Sequence, residues 1–450
     1  MDEVKVISKE LIKPSSPTPH LLRHYQLSFL DQIAVPVFMP LVLFYPKETN
    51  NITNQERCNH AKKSLSKALT QFYPLAGRVK HNMYIDCNDE GAYFVEAEAK
   101  CTLSHILQHP DPNDLNKFLP LELDDVNDLA SVFQVTLFQC GGLAISFGMS
   151  HKVGDALSFF MFLNSWAAIA RGDSTTINTV PCFQSSLLFP PKDLSGFQPR
   201  TGIVKDTIVA KRFVFDASTI SALRAMYTDD GDNNKYPRRP TRVEALSAFI
   251  WSRFMASVEA NKVHDCDKIY TLLHAINLRP RMDPPLQELY FGNISRIAVA
   301  IASMEDIDNI CGPKDICGGT KEDFKNHGTV KKMRDAIRNV NVEYVKKLQE
   351  SDGHLSFMKG RAEQVMKGEV VSFSFTSLCR FPIYEADFGW GKPVWVGSAR
   401  LTFKNLVVFL DTKEGDGIEA WINLKVEDMV KFEADKEFLA HVSPFSNVKI

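Results

Sequence analysis

The sequence predicts an α/β protein with mixed sheets, arranged in two domains. Three observations carry that expectation. At 450 residues the chain exceeds what one core usually holds, about 250–300 residues. Segments of strand character and of helical period alternate irregularly in both halves. Between the halves, the stretch 173–206 holds prolines and serines and has no clear period, which suits a connection across a surface. The expected division is a domain at 1–172, a linker at 173–206 and a domain at 207–450.

In order along the chain, residues 5–12 (KVISKELI) predict a first strand, stopped by KPSSPTP. Residues 36–45 (PVFMPLVLFY) predict a buried strand. Asn54 to Thr70 predicts an amphipathic helix, with Cys58, Ala61, Leu65, Ala68 and Leu69 near helical spacing and lysines between. Pro74 and Gly77 turn the chain into another strand. Val132–Phe138 and Leu143–Met149 predict a hairpin over QCGG, with Gly141-Gly142 as the turn signal. A mostly apolar helix begins after Asp155. In the second half, KRFVFD predicts a strand and ASTISALRAMY a helix capped by Ser218 or Ala217. PTRVEALSAFIWSRFMASV predicts a helix with proline at its mouth. Lys268–Ala275 and Arg296–Ala302 predict strands, and Lys331–Glu350 one charged helix. Two strands, 404–411 and 417–424, and a helix over VEDMVKFEADKEFLAHV close the chain.

Composition narrows the function classes. The chain is 44% hydrophobic and 24% charged with net charge −2, so no basic footprint points to nucleic acid or a membrane surface. The N-terminus, MDEVKVISKELIKPSSPTPH, lacks the apolar core of a secretory signal, and no apolar run reaches the ~18 residues of a membrane span. A cytoplasmic protein is expected. Nine cysteines are scattered without a CxxC. Cys311 and Cys317, the closest pair, have no matching second pair, so neither a zinc site nor a disulfide framework is expected.

The chemistry concentrates at SFGMSHKVGDALSF, residues 146–159. A strand delivers Ser150 and His151, and Asp155 follows one helical turn on. Neutral imidazole, with a pKa of about 6.5, takes a proton near neutral pH, and a strand end holds a general base rigidly. On these residues alone two readings stand: a general base, or a buried histidine bonded to a backbone carbonyl. Other plans fail. GxSxG does not fit around Ser150, and neither GxxxxGK[ST], GxGxxG nor HExxH occurs. Asp387-Phe388-Gly389 lacks the other signatures of a kinase. DFGWGKP (387–393) instead reads as a tight packed loop: two glycines for unusual backbone, two large aromatics and a carboxylate that closes an ion pair or caps the turn.

Taken together, His151-x-x-x-Asp155 and the later Asp387-Phe388-Gly389-Trp390-Gly391 resemble the plant BAHD acyl-CoA-dependent acyltransferases. SSPTP (15–19), FYPLAGR (72–78), DCNDEG (86–91), NLRPRMDPPL (277–286) and FGN (291–293) extend the likeness over essentially the whole chain. Within the family it is most similar to the alkaloid O-acetyltransferases, with IKPSSPTP, CGGLAISFGMSHK and CRFPIYEADFGWGKP carrying the closer likeness.

The resemblance implies two domains similar to chloramphenicol acetyltransferase, a crossover segment between them and a channel with His151 at its middle. It implies acetyl-CoA, or another acyl-CoA, as co-substrate, no permanently bound cofactor, no metal, a small-molecule alcohol acceptor and a monomer. His151 would be the base. Asp155 would pair with an arginine of the other domain, for which Arg279 is the candidate. Asp387, Gly389, Trp390 and Gly391 would be structural support. Thr376 is the candidate oxyanion donor, while Thr241, Arg242 and Lys392 are candidates for CoA contact. The sequence departs from the family at Leu378, where tryptophan is common, and the smaller aliphatic there is expected to alter the acyl or acceptor pocket or to be plain core. The rival readings are a malonyl-CoA or longer acyl-CoA donor, a terpenoid, acylsugar or amine acceptor, and a catalytically silent binding protein.

Overall fold

The protein is described by a computed structural model covering residues 4–47, 52–108, 110–173, 180–195, 197, 208–228, 239–259, 268–302, 327–350 and 353–443. Cys311 and Cys317 lie outside the described residues, as does much of the expected linker. In chain order the strands are β1 (Val4–Ile12), β2 (His24–Gln26), β3 (Phe38–Tyr45), β4 (Arg78–Lys80), β5 (Tyr84–Asp86), β6 (Ala92–Ala99), β7 (Ser131–Phe138) and β8 (Leu143–Ser150). They continue as β9 (Ile208–Phe215), β10 (Ile269–Asn277), β11 (Ser295–Ala302), β12 (Val370–Ser377), β13 (Trp395–Gly397), β14 (Leu406–Asp411) and β15 (Ile418–Lys425).

Two six-stranded mixed sheets form the frame. The first runs β1-β6-β7-β8-β3-β13 and the second β11-β10-β12-β14-β15-β9, beside a small sheet β2-β5-β4. β7 and β8 pair antiparallel through the QCGG turn, with Gly141 at φ 86°, a value that favours glycine. In the first sheet, β3 and β8 are buried along nearly their whole length because helices Asn54–Gln71 and Ala156–Arg171 pack into the same core.

The two halves do not part cleanly at the linker. Residues 383–399 belong to the first core, and β13 pairs with β3. The physical cause is aromatic surface. Trp395 stacks on Phe44 at 5.4 Å, and Phe388 meets Trp166 edge-on at 4.7 Å, partners that only the first half supplies. In the linker, Ser185–Leu188 is a short helix, and Phe189 O accepts from Phe29 N at 2.9 Å.

Three helix ends differ from the sequence reading. Asp216, not Ser218 or Ala217, caps the helix Ala217–Met226, because its carboxylate accepts from Thr219 N. The expected Lys331–Glu350 helix is two, His327–Asn339 and Val342–Glu350, since the Asn341 side chain accepts from Tyr344 N and starts the second. The final helix divides into Val426–Glu433 and Lys436–Ala440, with Asp435 capping the latter. β6 and the helix Gly353–Met366 carried no clear sequence signal.

Candidate active site

β8 is buried throughout and stops at Ser150. His151 N–H donates to Val37 O at 2.8 Å, at the mouth of β3, and Val153 N–H donates to Ser150 O at 2.9 Å, which closes a turn. The His151 ring therefore leaves a rigid sheet end. Its Nδ1 is buried and has no hydrogen-bond partner. Burial pushes the pKa of His151 down. The Asp155 charge, the Asn293 side chain and nearby carbonyls oppose this without cancelling it, so the ring titrates below the ordinary histidine range.

Asp155 caps the helix Ala156–Arg171, accepting from Ser158 N and Ser158 Oγ, each at 3.1 Å. Its other contacts cross to the second half. Arg279 Nη1 lies 2.8 Å from Asp155 Oδ2 and Arg279 Nη2 lies 3.2 Å from Oδ1. Ile294 N–H donates to Oδ2 at 3.0 Å. Arg279 also donates to Tyr290 O, Gly292 O and Asn277 Oδ1. Burial raises the Asp155 pKa, but the Arg279 charge and these hydrogen bonds outweigh it and hold the carboxyl below its usual value. Gly292 permits the close approach: at φ +123°, a Cβ there would stand 2.7 Å from Ser185 Oγ.

Two residues that the sequence reading did not single out hold the same turn. Asn293 Nδ2 donates to His151 O at 2.7 Å and to Asp31 Oδ1 at 2.8 Å. Asp31 also accepts from Ser28 N and Ser28 Oγ, which caps the helix Phe29–Ile33. The S-x-x-D pattern at 28–31 signalled that cap, but nothing local signalled the contact with residue 293. The second is Lys152, 6% exposed, whose Nζ donates to Gln32 O at 2.6 Å. Burial brings its pKa down to about 7, with Asp31 opposing.

The buried lysine has a stability consequence. An unfolded lysine titrates at about 10.4. Between pH 7 and that value the unfolded chain binds more protons, so stability rises with pH across this window. Lys152→Met is therefore expected to raise Tm by about a few degrees at pH 6, with the gain shrinking toward pH 10. A gain that stays constant with pH in calorimetry would refute the assignment.

The other sequence candidates are spread out. Thr376 lies in the C-terminal half of β12, partly exposed. Just beyond it, Phe381 stacks at 4.8 Å on Phe160, in the helix that Asp155 caps. DFGWG sits at that helix's other end: Arg171 Nη1 donates to Asp387 O at 2.6 Å. The helix has 16 residues, so about 24 Å separates the loop from Asp155. There Asp387 Oδ1 accepts from Gly389 N and Gly391 N at 2.8 and 2.9 Å. Trp390 stacks on Phe388, with Arg57 over its ring. The candidates for CoA contact have partners within the protein. Thr241 caps the helix Arg242–Phe254, Arg242 Nη2 lies 2.8 Å from Asp411 Oδ1, and Lys392 pairs with Glu385 at 2.6 Å. No His/Cys/Asp/Glu cluster suited to a metal occurs among the described residues, and no helix there is long and apolar enough to cross a membrane.

The Transferase family profile matches residues 2–439. The chain belongs to this family, the BAHD acyl-CoA-dependent acyltransferases. It is 34% identical to stemmadenine O-acetyltransferase of Catharanthus roseus over 96% of this chain and 97% of that one. It is 35% identical to limonoid 21-O-acetyltransferase of Melia azedarach over 98% of each chain. The crystal structure of vinorine synthase superposes with TM-score 0.79 at 33% identity, covering 98% of this chain and 99% of that one. Membership makes the chain an acyltransferase that uses an acyl-CoA as co-substrate, and the two mixed sheets are the family's frame.

Proposed function

We propose that the protein transfers acetyl from acetyl-CoA to a hydroxyl of an alkaloid or terpenoid, with His151 as general base in a ternary complex. The carrying observation is the division of labour at the turn. Asp155 is fully engaged with Arg279, Ser158 and Ile294 and Lys152 Nζ is directed at Gln32 O, which leaves His151 as the group placed to exchange a proton with substrate. Ser150 is fully buried and unsuited to act as a nucleophile, which supports direct transfer without an acyl-enzyme. His151 takes the acceptor's hydroxyl proton as its oxygen attacks the thioester carbonyl. The C–S bond breaks as the oxyanion collapses, and the CoA thiolate receives the proton from His151. Thr376 is proposed as the oxyanion donor, and Thr241, Arg242 and Lys392 as CoA contacts. The relatives' acetyltransferase names support the acetyl donor. A cytoplasmic monomer without a permanently bound cofactor completes the reading.

The test is thiol release from acetyl-, malonyl- and benzoyl-CoA with a panel of polycyclic alcohols. Release that requires an acceptor and is fastest with acetyl-CoA is expected. The base must be neutral, so kcat/KM is expected to rise with pH and level off below the ordinary histidine pKa, as burial of His151 dictates. Release without acceptor dependence would refute the reading.

A further inference from the structure

Among the described residues, one face of the second sheet is covered along only half its width. Side chains alternate along a strand. Leu272 of β10 and Phe373 and Phe375 of β12 point into the second core. Their neighbours Leu273 and Ala275, and Ser374 and Thr376, therefore point the other way. β11 brings Val299 and Ile297 to that same face, opposite Leu273 and Ala275. Across β14, β15 and β9 this face is sealed. Val408, Leu410 and Trp421 join the first core. Trp421 stacks on Trp395 at 5.8 Å, and Arg212 and Glu419 form a buried pair at 2.6 Å.

Among the described residues, the β11-β10-β12 half has no such cover. Ile297 is 41% exposed, Ala275 is exposed, and Leu273, Val299, Ser374 and Thr376 are partly exposed. At one end of the strip, Arg361 of the helix Gly353–Met366 donates to Thr271 Oγ1 at 2.7 Å. At the other end stands Asn277, whose Oδ1 accepts from Arg279 N at 3.1 Å and Arg279 Nη1 at 3.3 Å. That arginine also holds Asp155, so the strip runs up to the His151 turn. From Thr271 to Asn277 it measures about 20 Å, and three strands make it about 10 Å wide.

We propose that this strip is the wall against which the acceptor lies, and that the acceptor is an uncharged polycyclic alcohol rather than a cationic amine. The inference rests on the acyl-transfer reading and narrows its substrate class. The six side chains carry no charge. Ser374 supplies a neutral hydroxyl that orients a polar substituent, Thr376 is the hydroxyl already assigned to the oxyanion, and the other four supply apolar surface. Arg361 stands at one end of the strip, Arg279 at the other is paired with Asp155, and Arg296 of β11 is directed at His354 and Met358. An ammonium laid here would lose water, find no carboxylate in the strip and meet a like charge.

The test compares two acceptors of one skeleton, a neutral polycyclic alcohol and its congener with a tertiary amine, at pH 7.5 with acetyl-CoA. Wild-type protein is expected to favour the neutral alcohol in kcat/KM by about tenfold or more. Val299→Glu, and separately the more exposed Ile297→Glu, should shift that ratio toward the amine by about tenfold or more. Wild-type preference for the amine, or a ratio unchanged in both folded variants, would overturn the proposal. If neither congener reacts while another alcohol still draws His151-dependent thiol release from acetyl-CoA, the acceptor assignment alone falls. If no His151-dependent thiol release occurs at all, the transfer reading beneath it falls too.

Discussion

Replacing His151 with alanine is expected to lower kcat/KM for acyl transfer by about 10²–10⁴-fold, with Tm nearly unchanged. The size of the loss follows from the absence of a substitute within the turn. Lys152 Nζ is directed at Gln32 O. Asp155 is locked to Arg279 and held ionised. Ser150 is fully buried. The histidine's backbone contacts, to Val37 O and from Asn293 Nδ2, survive truncation of the ring, so the variant should keep the turn and lose only the base. The acid limb of the wild-type pH profile should vanish with it. A loss smaller than about tenfold in a steady-state thiol-release assay would place the base elsewhere.

Much of this site was legible from the sequence because its first elements are local. A strand of eight residues, a turn and a helix put His151 and Asp155 within five consecutive positions, and a Ser or Asp at a helix start is a pattern that short-range physics explains. The expected alternation of strands and helices rested on the same short-range periodicity. What escaped was long-range. Asp31 and Asn293 are 262 positions apart, and the covering of one half of the second sheet depends on which strands meet β13. The three residues of β13 are too few for a periodicity, so the return of DFGWG to the first sheet could not be read, although its aromatic content announced a packed loop. The uncharged strip was invisible for a related reason. Leu273 and Val299 read as ordinary strand positions until the β10–β11 and β10–β12 registers align them with Ser374.

The largest stability effect is expected from Arg279→Met, about 3–5 kcal/mol of destabilisation near neutral pH. The pair's own net worth is not the reason, since desolvating two ions offsets much of their attraction. The loss arises because the variant leaves the Asp155 carboxylate buried beside apolar neighbours, with two hydrogen-bonded donors from Ser158 and one from Ile294 but no countercharge. Asp155→Asn should cost less, because asparagine still caps the helix and brings no charge. The double variant should recover part of the Arg279→Met loss, a coupling that a double-mutant cycle reads directly.

The pH dependence has a definite sign. In wild type the Asp155 pKa is depressed, so its contribution is present above the unfolded value of about 3.9 and is lost as pH falls through the folded one. In Arg279→Met the same carboxyl is raised by burial, so it protonates earlier and the gap between variant and wild type narrows in acid. Activity should fall alongside, because the ion pair fastens the second half of the chain to the turn that carries His151. Additive single losses, or a gap that widens below pH 4, would mean that Arg279 and Asp155 act independently.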